Sequence, residues 1–151
     1  MGSTTLMTCK TGQLNGARLP DWAERLDKFI QDNLDTPFTW GAFDCGRLCI
    51  KLEIAMYGVS RFDDILTEEK LTIRKAYKPI KDNKCKSLWE FVDSRIPRLE
   101  SPAFAQRGDF FGYYVDGEES LAICLGDKMA CISPTGLVFI ESSRAAVAWR
   151  V

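Results

Sequence analysis

The sequence predicts an α+β domain in which N-terminal helices pack on a C-terminal antiparallel sheet. Apolar residues recur at helical spacing between residues 20 and 93, whereas short apolar runs alternate with turn residues after Arg107. These turns are too short to join parallel strands, so antiparallel pairing is expected. With 151 residues, of which 46% are hydrophobic, the chain can build one core. We expect a flexible arm over residues 1–19, which show no periodicity, and a single domain over residues 20–151.

Two helices are expected before residue 60. Apolar residues at every fourth position from Trp22 to Ile30 predict a helix that ends near residue 33. A second helix is predicted from Asp44-Cys45 to Gly58, because apolar residues cover most of one face and glycine commonly ends helices. Such a helix is expected to be central and buried, with the apolar side of the sheet packed on it.

Two further helices are expected between residues 67 and 93. Thr67-Glu68-Glu69 predicts the start of a charged helix that runs to about Tyr77 and is closed by Pro79. Ser87-Leu88-Trp89-Glu90 fits a capping box, in which serine bonds forward and glutamate bonds back, and predicts a short helix over residues 88–93.

Five strands are predicted over residues 110–115, 120–125, 129–132, 137–140 and 147–151. The turns between the first four strands are Asp116-Gly117, Gly126-Asp127 and Pro134-Thr135-Gly136.

The charge of the chain argues against nucleic acid as a partner. Twenty Lys and Arg residues are matched by 21 Asp and Glu residues, for a net charge of −1, without the basic block that phosphate contacts require. No apolar run approaches the roughly 18 residues that span a bilayer, and the N-terminus lacks the layout of an export signal. We therefore expect a protein made in the cytoplasm, without a membrane anchor.

The six cysteines are expected to be reduced and buried. They lie at positions 9, 45, 49, 85, 124 and 131 and form no Cys-x-x-Cys pair. Since the chain has no histidine, a zinc site would need thiolates and carboxylates alone. We expect neither a metal nor any other cofactor, and no disulfides in a chain without an export signal.

One group of motifs has the pattern of a cysteine hydrolase. Trp40-Gly41 precedes Asp44-Cys45 at a predicted helix start, Arg107-Gly108-Asp109 precedes an aromatic strand, and a later strand ends in Leu125-Gly126. In this order the motifs resemble those of NlpC-type cell-wall cysteine peptidases over residues 37–140. The resemblance implies a papain-like fold, in which the nucleophilic cysteine begins a helix that packs on a sheet.

The chain is more similar still to a family of short proteins encoded among the tail genes of tailed bacteriophages. The segments on which this resemblance rests include Pro37-Phe38-Thr39-Trp40-Gly41, Ile96-Pro97-Arg98, Gly136-Leu137-Val138-Phe139 and the terminal Ala148-Trp149-Arg150-Val151. This resemblance implies a structural component of the virion, at the tail tip in the baseplate or hub region, made in the host cytoplasm. It also implies the tail hub and distal tail proteins as partners.

The resemblance to the peptidases implies where their catalytic residues would fall. The nucleophile corresponds to Cys45, the histidine to Ser120, and the residue that orients the imidazole to the neighbourhood of Cys131. Serine accepts no proton near neutral pH, and a free thiol with a pKa of about 8.5 is only a few per cent thiolate there. General acid–base help is worth about a hundred- to ten-thousand-fold. We therefore expect these positions to be vestigial and the chain alone to be inactive.

Each motif residue also has a structural interpretation. Cys45 is either a nucleophile or, as we favour, a small core residue on an apolar helix face. Asp44 is expected to be the N-cap of its helix, a role worth about 1 kcal/mol. Trp40, beside Gly41, either lines a cleft or packs over the helix.

Two segments are candidate interfaces, and their residues are Phe110, Phe111, Tyr113, Tyr114, Lys75 and Lys78. The four aromatic residues are too apolar for a strand with both faces in water, so the domain or another subunit is expected to cover them. The two lysines begin a local basic cluster that extends to Lys86, which is either a solvated face or a docking patch for an acidic partner.

The leading hypothesis is therefore a catalytically inactive NlpC-type domain used for tail assembly. The alternative is a tail-associated cysteine peptidase or amidase that acts on peptidoglycan during genome delivery, with a base from a neighbouring subunit or an unusual carboxylate. A third hypothesis is a tail-assembly chaperone that leaves before the particle matures.

Overall fold

Within residues 17–151, which the computed structural model describes, four α-helices precede five β-strands. The helices are α1 (Trp22–Asp32), α2 (Cys45–Tyr57), α3 (Ile73–Asp82) and α4 (Leu88–Asp93). The strands are β1 (Phe110–Val115), β2 (Glu118–Cys124), β3 (Lys128–Ser133), β4 (Gly136–Glu141) and β5 (Val147–Trp149). This arrangement confirms the predicted α+β class, with N-terminal helices and a C-terminal antiparallel sheet.

The first two helices lie where the apolar spacing predicts them. α1 ends one residue before Asn33, and α2 begins directly after Asp44 and ends directly before Gly58. The φ of Gly58 is 87°, and its amide donates to the Ile54 carbonyl at 2.7 Å. Glycine adopts this left-handed conformation without the steric cost that other residues incur, so the helix ends there.

The third helix differs from the prediction, because it begins at Ile73 rather than at Thr67. The Leu71 amide donates to the Trp40 carbonyl at 2.8 Å, which fastens the preceding segment to the loop before α2. Thr72 then becomes the N-cap, and its hydroxyl accepts from an amide of the first turn at 3.2 Å. The helix therefore begins about one and a half turns later in the sequence than predicted, because a long-range backbone hydrogen bond holds the preceding segment outside it.

The prediction that Pro79 closes this helix is also wrong. Pro79 lies inside α3, which continues to Asp82. Proline has no amide proton and removes one hydrogen bond from a helix, but its carbonyl accepts from the Asn83 amide at 3.0 Å and from Asn83 Nδ2 at 2.7 Å. These two bonds secure the last turn.

The fourth helix has part of the predicted capping box. The Ser87 hydroxyl accepts from the Glu90 amide at 3.2 Å, as expected. The Glu90 carboxylate, however, accepts from the Lys86 amide at 2.9 Å rather than from the N-cap residue itself. The hydrogen bond from the glutamate back to the chain is thus shifted by one residue, from Ser87 to Lys86.

The sheet has the strand order β4-β3-β2-β1-β5, and its paired strands are antiparallel. A two-residue turn at Asp116-Gly117 joins β1 to β2 and places Tyr113 opposite Ser120. β2 and β3 share only two paired positions, both near the end of β2. β5 returns to the free side of β1, which becomes an internal strand.

Both faces of the sheet are buried. On one face α2 contributes Leu48 and Leu52 to a core that also contains Leu121 and Ile123 of β2. Phe111 lies in a second cluster on the other face, where loop residues also pack. Burying one such side chain stabilises the fold by roughly 1.5–3 kcal/mol. The helix that begins at Cys45 is therefore central and buried, as predicted.

The two ends of the described chain meet at one buried carboxylate. Asp109 is 0% exposed and accepts from the Val151 amide at 2.9 Å, and the guanidinium groups of Arg18 and Arg150 lie 3.3 and 3.2 Å from its oxygens. The Leu19 amide donates to a carbonyl near the end of α2 at 2.7 Å. Residues 1–16 of the expected flexible arm lie outside the described residues. The last part of that segment does not form a free arm, because Arg18 and Leu19 are hydrogen-bonded to the domain.

Candidate functional site

The loop before α2 is held by the side chain of Asp44. Its Oδ1 accepts from the Arg47 amide at 2.9 Å and caps the helix, and its Oδ2 accepts from the Gly41 amide, also at 2.9 Å. The Arg47 guanidinium lies 3.2 Å from Oδ2. Since both side chains are buried, this one carboxylate caps a helix, closes a loop and neutralises a buried cation.

Gly41 and Trp40 shape the loop that leads into α2. Gly41 has a φ of 85°, and a Cβ at this position would lie 2.4 Å from Leu71 Cγ, so a side chain does not fit. The Trp40 ring packs against Phe38 and Tyr77, with centroid distances of 4.7 and 5.5 Å. Trp40 also lines a small cavity beside α2. Trp40 therefore borders this cavity and packs between Phe38 of the loop and Tyr77 of α3.

Cys45 lies in the first turn of α2 and is only 9% exposed. Interactions with the Ser120 side chain and with the backbone of Leu121 and Gly46 favour the thiolate. Burial raises the pKa of the Cys45 thiol, and these three interactions offset the increase only in part. The thiol is therefore held protonated at neutral pH.

The three positions to which the resemblance assigns catalytic roles lie near one another in the structure. Ser120 lies beside Cys45, and the Tyr113 hydroxyl interacts with both Ser120 and the Cys131 sulfur. Burial raises the pKa of Tyr113 and of Cys131. Cys45, Ser120, Tyr113 and Cys131 thus form one continuous cluster of hydroxyl and thiol groups, which we call the thiol cluster.

Tyr113 is the member of the thiol cluster that the sequence indicates only as a candidate interface residue. Its role follows from the hairpin: a two-residue turn at Asp116-Gly117 sets the register and places Tyr113 opposite Ser120. The turn could therefore have identified Tyr113 as a neighbour of Ser120.

The thiol cluster contains no group that takes up a proton near neutral pH. The whole sequence lacks histidine, and burial keeps the thiols and the phenol in their neutral forms. Asp44 is nearby, but both of its oxygens already accept hydrogen bonds from Gly41 and Arg47. The arrangement can position a thiol, but it supplies neither a base nor an acid for its chemistry.

The cavity beside Cys45 has a volume of about 50 Å³. Such a volume holds a few water molecules, whereas ligand sites commonly measure roughly 300–1,000 Å³. Arg47 also lines the cavity, and its buried Nε has no hydrogen-bond partner among residues 17–151. The cavity can therefore hold water near the guanidinium, and its own volume is below that of common ligand sites.

The aromatic candidate interface is covered by the domain itself. Phe110 and Phe111 are each 1% exposed and Tyr113 is 8% exposed, because β1 is paired on both edges and packed on both faces. Of the four aromatic side chains, Tyr114 lies at the surface, where its ring packs on Trp89 at a centroid distance of 4.9 Å. The other three are not available to a partner of the folded domain.

The two lysines of the candidate interface lie on the surface of α3. Lys75 and Lys78 are exposed, and Lys78 pairs with Asp82 at 2.9 Å. They line an open groove that shares Tyr77, Ile80 and Leu88 with the small cavity beside Cys45.

In the part of the chain that the structure describes, no group of three or more His, Cys, Asp or Glu side chains is arranged to hold a metal ion. Over the same residues, no helix is long and apolar enough to cross a membrane.

Among curated proteins, none matches this chain. A family model matches residues 17–151, which is the entire described domain. That family is described as a domain of unknown function, DUF6950, and the chain belongs to it.

Proposed function

We propose that this chain is a structural component of a bacteriophage tail tip, in which a catalytically inactive papain-like domain serves tail assembly. The tail assignment is supported by the order of sequence motifs that resemble the phage tail family, from residues 37–41 to the terminal Ala148-Trp149-Arg150-Val151. Hub and distal tail proteins of the same particle are the partners in this proposal.

The papain-like part of the proposal is supported by the position of Cys45. The cysteine begins a helix that packs on an antiparallel sheet, and the residue facing it, Ser120, comes from a strand of that sheet. This is the relation between nucleophile and base in papain-like hydrolases, with serine at the position of the base.

The proposed inactivity is supported mainly by the environment of the Cys45 thiol. Its pKa is raised by burial, the group beside it is a hydroxyl, and the sequence contains no imidazole. A raised pKa makes the thiolate rarer than the few per cent present in a free thiol at neutral pH. The missing acid–base partner removes about another hundred- to ten-thousand-fold.

Cross-linking mass spectrometry on purified, intact particles from the source of this chain tests the proposal. We expect the chain to be present in mature particles and its surface lysines to be linked to tail-hub or distal tail proteins. Its absence from mature particles would overturn the structural role and favour a chaperone that leaves during assembly.

A second candidate function is a cysteine peptidase or amidase that acts on peptidoglycan, with its base supplied by a neighbouring subunit. One observation favours it: interactions with the backbone of Gly46 and Leu121 lower the pKa of the Cys45 thiol, so they would stabilise negative charge on its sulfur. This candidate requires peptide release from purified cell wall by assembled tails, and alkylation of thiols must block the release. Tails that release nothing exclude it.

A further inference from the structure

The positive charge of the chain is concentrated in one short segment. Residues 73–86 contain six basic residues and one acidic residue, whereas the other 137 residues contain 14 basic and 20 acidic residues. A segment of formal charge +5 therefore lies in a chain whose remainder has charge −6. Such a separation favours association with an acidic surface and disfavours association with a basic one.

Most of the described cations that lack an ion-pair partner lie in this segment. Across residues 17–151, seven basic side chains have no ion-pair partner in that range. Five of the seven lie in the segment, and these are Arg74, Lys75, Lys81, Lys84 and Lys86. Most other surface cations, such as Lys28 and Arg98, already pair with a carboxylate. The unpaired charge is thus a local property of α3 and the residues after it.

An open groove of about 1030 Å³ lies between α3, the start of α4 and the β1–β2 hairpin. Its cationic side chains are Arg74, Lys75, Lys78, Lys81 and Lys86. Apolar groups, among them Tyr77, Ile80 and Leu88, also line it. A groove with both kinds of lining can hold apolar and charged groups of the same ligand side by side.

The opposite wall of the groove is acidic. Glu118 and Glu119 line it from the hairpin, and Glu119 accepts from the Trp89 amide at 2.9 Å, which ties its carboxylate to the start of α4. A uniformly charged polyanion would face these carboxylates as well as the lysines. A protein segment can instead place carboxylates opposite the lysines and uncharged residues opposite the hairpin.

We propose that the groove between α3 and the β1–β2 hairpin binds an acidic, amphipathic segment of a partner protein. The carboxylates of that segment pair with Lys75 and Lys81, and its apolar side chains pack on Tyr77, Ile80 and Leu88. The volume lies at the upper limit of small-molecule sites, which is roughly 1,000 Å³, so a polypeptide segment is the fitting occupant. The groove adjoins the cavity beside Cys45, with which it shares Tyr77, Ile80 and Leu88, and the proposal does not depend on the tail assignment.

Titration of the ¹⁵N-labelled full chain with synthetic peptides of equal length tests the proposal. The probes are an amphipathic Glu/Leu peptide, a Glu/Ser peptide of the same charge, an amphipathic Lys/Leu peptide and a single-stranded oligonucleotide. The Glu/Leu peptide should bind most tightly, with amide shifts confined to the lining of the groove and with affinity that falls as salt is added. Equal binding of the Glu/Ser peptide, tighter binding of the oligonucleotide, or shifts elsewhere would overturn it.

Two charge-reversal variants give a matched comparison. Lys81→Glu changes an unpaired cation in the groove, and Arg144→Glu makes the same charge change at an unpaired, exposed cation outside it. At low salt, Lys81→Glu should weaken binding of the Glu/Leu peptide by about tenfold, while Arg144→Glu should change it by less than about twofold. Equal effects of the two variants would mean that only net charge matters, which contradicts a specific groove.

Discussion

Replacing Asp44 by alanine should destabilise the domain by about 3–5 kcal/mol, far more than the loss of an ordinary helix cap. The cap alone is worth about 1 kcal/mol. Asp44 also accepts from the Gly41 amide and lies 3.2 Å from the guanidinium of buried Arg47. Its removal leaves that amide without an acceptor and the cation without its carboxylate, and breaking a buried pair in this way costs about 3–5 kcal/mol. These losses overlap, so we take the largest rather than their sum.

Denaturant unfolding followed by circular dichroism measures this effect. Thr72→Ala is the matched control, because Thr72 caps α3 through the same kind of bond but is exposed, and it should cost about 1 kcal/mol. Asp44→Asn keeps an acceptor for the helix but loses the charge, and should lie between the two. Combining Asp44→Ala with Arg47→Met removes the isolated cation and should recover part of the loss. If Asp44→Ala costs no more than Thr72→Ala, the structural role assigned to this carboxylate is wrong.

Three further predictions concern the thiols and the loop before α2. Iodoacetamide at about pH 8 should alkylate Cys45 at least about tenfold more slowly than half-buried Cys85, and unfolding in urea should abolish the difference. The raised pKa values of Cys45 and Cys49 mean that the folded chain holds these protons more tightly than the unfolded chain. The midpoint of unfolding should therefore be unaffected by this linkage below the ordinary thiol pKa and should fall as pH rises above about 9, and a rise there would contradict it. Gly41→Ala and Gly58→Ala both place alanine at a positive φ, of 85° and 87°, but only at residue 41 does a Cβ clash, 2.4 Å from a leucine side chain. Gly58→Ala should cost about 1–2 kcal/mol and Gly41→Ala about 1–3 kcal/mol more, and equal losses in denaturant unfolding would show that the contact is relieved without cost.

Elements defined by local signals could be predicted closely from the sequence. The limits of α2 follow from Asp44 and Gly58, two residues whose capping roles depend only on their neighbours. The hairpin of β1 and β2 follows from Asp116-Gly117, which adopts positive φ at both positions. In both places the local preference agrees with the tertiary structure.

The start of α3 could not be predicted because a distant contact decides it. Thr67-Glu68-Glu69 has the composition of a helix N-terminus, but the backbone bond between Leu71 and Trp40 holds the segment outside the helix. The covering of Phe110 and Phe111 has a similar cause. It depends on β5 returning to pair with β1, a long-range pairing that periodicity alone does not reveal.

The candidate site was predictable in outline and incomplete in detail. Motif order led to Ser120 as the residue opposite Cys45, and in the structure the Ser120 side chain lowers the pKa of the Cys45 thiol. Tyr113 and the charge of buried Arg47 were not recognised as parts of the same region. Their roles depend on how β1 and the loop before α2 pack around the cysteine, which is a property of the assembled fold.

The most direct test of the proposed inactive structural role is a Cys45→Ala substitution in particles that depend on this chain. The account predicts that the variant folds, is incorporated into tails in normal amount and yields particles of near-normal infectivity, because the thiol does no chemistry. A variant that folds and is incorporated normally but yields particles unable to infect would contradict the account and establish Cys45 as a functional nucleophile.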